Sequence, residues 1–217
     1  MPLDPKLTKF TTASQAIASY SYTDIVKGFT TETYYGLETE DSAAKDYHLT
    51  DSSAIRSDIV QQTATIDQGT FTKEFDLDFD TSTLTEPRTL KGTVTLNVPI
   101  AIQHNGAGSS YVYIIAKLRK YDGSTETDIA NATSKTNSNG ATGGDPLHYW
   151  VSWSFDVTET VVESGSVIRL TLEYWAKEDA NTGDLYIAHD PTDRNKSGEW
   201  FTLGSQIQIN LPFKIEV

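Results

Sequence analysis

The sequence predicts an all-β protein: an antiparallel β-sandwich, an eight-stranded jelly roll over residues 71–217, preceded by an extended N-terminal arm over residues 1–70. Three observations carry that expectation. From Phe71 onward apolar residues recur at every second position in run after run, the period of a half-buried strand. The runs are separated by HNGAGSS, YDGS, TNSNGATGGDP and ESGS, in which Gly, Asn and Asp accept positive φ with little strain. No segment of helical period and length stands between them, which disfavours a parallel α/β sheet and leaves a two-sheet sandwich. An immunoglobulin-like sandwich is the nearest rival architecture; the cysteine part of its pattern is missing.

The strands follow in order. FTKEFDLDF places Phe71, Phe75, Leu77 and Phe79 on one face, with Asp76 and Asp78 on the other. LKGTVTLNVPIAI aligns Leu90, Val94, Leu96, Val98, Ile100 and Ile102; Pro99 within it argues for an edge position or a bulge, because proline cannot donate to a ladder. YVYIIAKLRKY is apolar on both faces at its start, and TETDIANATS is a short polar strand. YWVSWSFDV sends Val151, Trp153, Phe155 and Val157 inward, and VIRLTLEYWA sends Ile168, Leu170, Leu172 and Tyr174 inward against Arg169, Thr171 and Glu173. DLYIAHD is short, and QIQINLPFKIEV aligns Ile207, Ile209, Leu211, Phe213, Ile215 and Val217.

Residues 1–70 are different in kind: rich in Thr, Ser, Ala and Asp, with apolar residues in small islands. One short helix is expected near Ser52 to Gln62, where Ile55 and Ile59 are four apart and Asp51 is placed to cap. The remainder reads as an extended arm. Its aromatics (Tyr20, Tyr22, Phe29, Tyr34 and Tyr35) set it apart from disordered segments, which are poor in such residues. They point to a segment that docks on other subunits.

The bulk numbers exclude several classes. The 217 residues suit one domain with an extension, and the chain carries no cysteine, so neither disulfides nor thiolate metal sites hold it together. The start MPLDPKLTKF has no apolar h-region, so no secretory signal is expected. No apolar run approaches the ~20 residues of a membrane span. The net charge of −13 is repelled by nucleic acid, whose binding needs clustered Lys and Arg; only KLRKY, Lys117 to Tyr121, is locally basic.

No catalytic residue, metal ligand set or cofactor fingerprint is predicted. Asp76, Asp78 and Asp80 share a face that would suit Ca²⁺, but outward carboxylates are ordinary on a half-buried strand. DANTGDLY has its glycine at the fifth position rather than the sixth of a calcium loop and reads as a hairpin turn. His48, His104, His148 and His189 show no metal spacing, although His189-Asp190 would serve as an acid–base fragment. No G-x-S-x-G elbow, P-loop or dinucleotide fingerprint occurs. Of Trp150, Trp153, Trp175 and Trp200, Trp153 shares the core face, whereas Trp150 and Trp175 fall on the opposite faces of their strands. There they are interface candidates, with stacking on a glycan as the alternative.

The order of segments resembles structural proteins of tailed-phage particles, in which a Thr/Ser-rich stretch similar to YSYTDIVKGFTTETYYGLET precedes a jelly roll. RTLKGTVTLNVPI, ETDIANATS and VVESGSVIRLTLEYWA are the phrases of the body that carry the resemblance. It implies an auxiliary capsid or decoration protein on the capsid surface of a virion, bound to the major capsid protein through its arm. It also implies a homo-oligomer, with a trimer favoured, and no enzyme activity. The alternatives are a carbohydrate-binding module or receptor-binding component of a virion, and last a hydrolase.

Overall fold

The computed structural model describes residues 28–41, 44–106, 108–139, 146–194 and 204–215. These residues form twelve strands: β1 Phe29–Asp41, β2 Ala44–Thr50, β3 Gln61–Ile66, β4 Thr72–Asp80, β5 Arg88–Asn105, β6 Ser110–Tyr121, β7 Glu126–Thr133, β8 Asn137–Asn139, β9 Leu147–Val162, β10 Val167–Glu178, β11 Thr182–Ala188 and β12 Gln208–Lys214. No helix occurs among the described residues. The fold is all-β, a sandwich of the jelly-roll type.

One layer runs β4-β10-β6-β7, with the short β8 sharing the β6 edge with β7. The other is built on the long β5. One edge of β5 pairs with β9 from Arg88 to Ile102. Its other edge changes partner, pairing with β12 up to Asn97↔Gln208 and with β11 from Ile100↔Ile187. Beyond β12 lie β1 and β2, and beyond β11 lies β3. A single parallel pair, His48↔Asp80, joins β2 to β4 and links the layers.

Alternation explains the packing. Val112, Ile114, Ala116 and Leu118 of β6, and Ile168, Leu170, Leu172 and Tyr174 of β10, join the six aligned β5 residues and Ile207, Ile209, Leu211 and Phe213 in one buried cluster. The register keeps them in rows, as in Leu118↔Leu170↔Phe79. Each such side chain contributes about 1.5–3 kcal/mol relative to exposure. A one-residue slip would turn a whole row to water, so the register is strongly fixed. Gly92 stands where β9 carries an extra residue against β5; its φ is +125°, and a Cβ would lie 3.2 Å from Pro212.

Four expectations are corrected. Pro99 is neither on an edge strand nor at that bulge: it sits between the last β5 residue paired with β12 and the first paired with β11. A missing amide proton there breaks no ladder bond on that edge. DANTGDLY turns, with Asn181 at φ 70°, but is no hairpin: β10 pairs with β4 and β6, whereas β11 pairs with β3 and β5. The turn carries the chain from one layer to the other.

The helix expected near Ser52 to Gln62 is a run of turns and bends followed by β3. Hydroxyls capture the backbone locally, with Ser52 N donating to Thr50 Oγ1 (3.1 Å) and Ala54 N to Ser52 Oγ (3.3 Å), the competition that disfavours helix.

The fourth correction is the arm itself. Residues 29–66 are not an extension: β1 pairs with β12 over Phe29–Tyr35 and with β2 over Tyr35–Asp41, and β3 pairs with β11 over Gln61–Ile66. Leu37, Leu49, Val60 and Ile66 are buried. The edges of β12 and β11 facing away from β5 need partners, and these polar, island-like segments supply them. Residues 1–27, with Tyr20 and Tyr22, lie outside the described residues.

Candidate functional site

The outer face of the β4-β10-β6-β7 layer is a ladder of opposite charges. Arg169 on β10 donates from Nε and Nη2 to the two oxygens of Asp80 on β4, both at 2.7 Å, and pairs through Nη1 with Glu126. Arg119 on β6 reaches Asp128 (2.9 Å) and Glu126 (2.7 Å). Lys117 donates to Glu173 at 2.6 Å, and Lys73 pairs with Asp76. Burial pushes Glu173 up, but Lys117 and Trp175 outweigh it and hold the carboxyl below its ordinary range. Asp78 and Asp80 are thus paired with Arg169 across the strands, and Asp76 with Lys73 of its own strand. No group of three or more His, Asp or Glu placed to hold a metal ion occurs among the described residues.

At the other end of this face the ladder gives way to aromatics. Trp175 and Tyr113 lie parallel, with centroids 6.2 Å apart and 2° between planes, and Phe71 meets Tyr113 edge-on at 4.8 Å. The Lys177 ammonium sits 4.6 Å from the Tyr111 ring centroid. Trp175 is thus on the outer face, as its position in the alternation predicts.

Two histidine–carboxylate pairs are wholly enclosed. In the first, His104 Nδ1 lies 3.1 Å from Glu178 Oε1 with both side chains at 0% exposure. Glu178 also accepts from the Ser110 hydroxyl and from the backbone N–H groups of Asp179 (3.1 Å) and Ala180 (3.5 Å). In the second, His189 Nε2 lies 3.1 Å from Glu38 Oε2, again at 0% for both. Gln62 Nε2 donates to Glu38 (3.2 Å) and to Tyr47 (2.9 Å). Ser57 Oγ accepts from Glu38 N (3.0 Å) and donates to the His189 carbonyl (2.5 Å). Neither cluster is built for nucleophilic catalysis: the serines bond a carboxylate and a main-chain carbonyl, and enclosure keeps a substrate out. They act as brackets, one tying β5, β6 and β10 together, the other tying β1 and β3 to the segment after β11.

The expected acid–base fragment is split by the same geometry. His189 faces Glu38, whereas Asp190 accepts from Thr192 N (3.0 Å) and Thr192 Oγ1 (2.9 Å) and pairs with Arg194. Burial pushes Asp190 up, but Arg194 and Thr192 outweigh it and hold its carboxyl below the usual range. Glu159, bonded by Lys214 and Lys91, is lowered to about 2. Lowered folded-state values mean stability that is present above the ordinary carboxylate range and lost as pH falls through those values. Thermal midpoints should therefore hold steady from neutral pH down to about 5 and fall steeply below about 4. Arg194→Ala should flatten that fall; an unchanged acid limb in the variant would refute the assignment.

The remaining predicted residues are spread over the body. Phe29 lies under Lys91, whose ammonium is 5.9 Å from the ring. Tyr34 packs on the core and donates to Glu32 (2.9 Å), which also accepts from Arg88 Nη1 (2.8 Å); burial pushes the Tyr34 phenol up. Tyr35 is half-buried between Gln208 and Thr50. These three are used within the chain's own sheet. Trp150, by contrast, is 42% exposed on β9, with Cζ2 against Gly204. Beside β1 opens a groove of about 690 Å³ lined by Tyr34, Leu37, His48, Asp51, Ile55, Glu86, Arg88 and Lys214, among others.

No protein-family model and no curated protein matches the chain. Among solved structures it is similar to an α-amino acid ester hydrolase at 12% identity and TM-score 0.53, over 85% of this chain and 36% of that one. It is also similar to an aminopeptidase from the marine sediment archaeon Thaumarchaeota archaeon (10% identity, TM-score 0.45, 82% and 36% of the two chains). A third neighbour is the VP2 subviral particle of infectious bursal disease virus (12% identity, TM-score 0.28, 82% and 41%). The chain spans about a third of the length of the hydrolases it matches. The first likeness bears on the fold alone, and the others carry no argument.

Proposed function

We propose that the chain is a structural protein of a virus particle, an auxiliary capsid or decoration protein on the outer surface, which works by holding other proteins and not by catalysis. The observation that carries this reading is the placing of exposed apolar surface. Of the four exposed large apolar side chains among the described residues, Leu147, Trp150 and Val161 all lie on β9, whose strand pairing among those residues is with β5 alone. A long strand with one open edge and apolar residues along it is a template for another chain. The segment order resembling phage structural proteins supports the same reading, as does the charge of −13, which would keep the protein away from packaged nucleic acid. Residues 1–27 are the part of the expected arm left to serve as a tether, and trimeric self-association is the oligomer this reading favours.

The test is to rebind purified protein to particles stripped of it and to inventory native particles by mass spectrometry. Trp150→Ser combined with Val161→Asp should abolish rebinding with the thermal midpoint kept; undiminished rebinding would sink the proposal. A second reading, glycan binding, is supported by the parallel Tyr113 and Trp175 rings, and a glycan array with Trp175→Ala as control tests it.

A further inference from the structure

We infer that the groove beside β1 is the seat of the chain's own first 27 residues, which rest there in the free protein. The groove of about 690 Å³ falls in the size range of binding clefts, and its chemistry is lopsided. Its two strong cations are already committed, Arg88 to Glu32 and Lys214 to Glu159. Asp51 and Glu86 form no ion pair among the described residues. Ile55, 45% exposed, is the fourth large apolar side chain turned to solvent among the described residues, and it lines this groove. The occupant therefore offers cations and apolar or aromatic side chains.

The leading segment fits. It carries three lysines, Lys6, Lys9 and Lys27, against two aspartates, Asp4 and Asp24, a net of +1 in a chain whose net charge is −13. Leu3, Leu7, Phe10, Tyr20, Tyr22 and Ile25 supply the apolar surface. It enters at the right place: Ile215 N donates to Gly28 O at 2.7 Å, one residue past Lys214 on the groove wall. Gly28 has φ +72°, a left-handed conformation that glycine adopts at little cost. A segment joined this closely meets the groove at millimolar effective concentration, which favours its own chain over a neighbour. The inference does not depend on the virion reading: a tether parked in the free protein would be released on the particle, but the parking is measurable without one.

The full-length chain tests it. Zero-length carboxylate–amine cross-linking should join Lys6, Lys9 or Lys27 to Asp51 or Glu86 within the monomer band, with Lys73–Asp76 as the positive control. Asp51→Lys with Glu86→Lys should abolish those links and speed tryptic release of the leading segment about tenfold, the factor that corresponds to losing 1.4 kcal/mol. The circular dichroism spectrum and thermal midpoint report that the body still folds. Links found only between copies, or equal cleavage rates in a folded variant, would overturn the inference. Either failure leaves particle binding through β9 untouched, because that rests on Trp150 and Val161.

Discussion

Replacing Glu178 by Ala should cost about 3–5 kcal/mol of folding stability, because three donors lose a buried acceptor at about 1–3 kcal/mol each. The carboxylate is fully buried and serves His104, the Ser110 hydroxyl and the N–H groups of Asp179 and Ala180. Alanine leaves the Ser110 hydroxyl and the two N–H groups without that acceptor. Glu178→Gln keeps the shape and one good acceptor and should cost about 1–2 kcal/mol. The same bracket explains Gly183: a Cβ there would stand 2.5 Å from Ser110 Oγ, 2.7 Å from the Gln103 carbonyl and 2.9 Å from Glu178 Oε2. Backbone of β5 cannot give way as a flexible side chain would, so Gly183→Ala should also destabilise. Urea unfolding with matched slopes measures all three. A loss below about 1 kcal/mol for Glu178→Ala would show that the pair contributes little beyond its own desolvation.

The body strands are legible because their apolar residues recur at every second position. β5, β6, β10 and β12 each turn one side of the pleat to the core, and the predicted inward residues Leu90 to Ile102 and Ile168 to Tyr174 are at most 1% exposed at the aligned positions. β1 is not legible because its apolar residues do not alternate: in FTTETYYGLETED the buried Leu37 stands between Gly36 and the buried Glu38, a carboxylate that by composition belongs at a solvated surface. Only its ring partner on a distant segment makes Glu38 a core residue. The same limit applies to the site. Asp76, Asp78 and Asp80 could be assigned to one face by period alone. The pairing of Asp78 and Asp80 with Arg169 could not, since it depends on which strands neighbour β4 and in what register. Period alone sets Trp150 and Trp175 on the faces away from the core, whereas nothing local shows that β12 lies beside Tyr34 and Tyr35.

Glu38→Ala offers the sharpest decision between a separate arm and an integral strand. In the folded chain Glu38 accepts from Gln62 and faces His189, so the variant removes an enclosed acceptor, at about 1–3 kcal/mol. β1 lies between β12 and β2, and β12 is bonded directly to β5, so the loss is transmitted to the core instead of fraying one end. All four tryptophans, Trp150, Trp153, Trp175 and Trp200, lie outside β1–β3, and Trp153 packs on the core cluster. Their fluorescence therefore reports the rest of the sandwich. The expected result is a single cooperative transition, seen alike by fluorescence and far-UV circular dichroism and shifted as a whole to lower denaturant. Were residues 29–66 a detachable arm, the fluorescence midpoint of Glu38→Ala would match that of the parent chain, and the sheet order β12-β1-β2 could not be the one that holds the protein together.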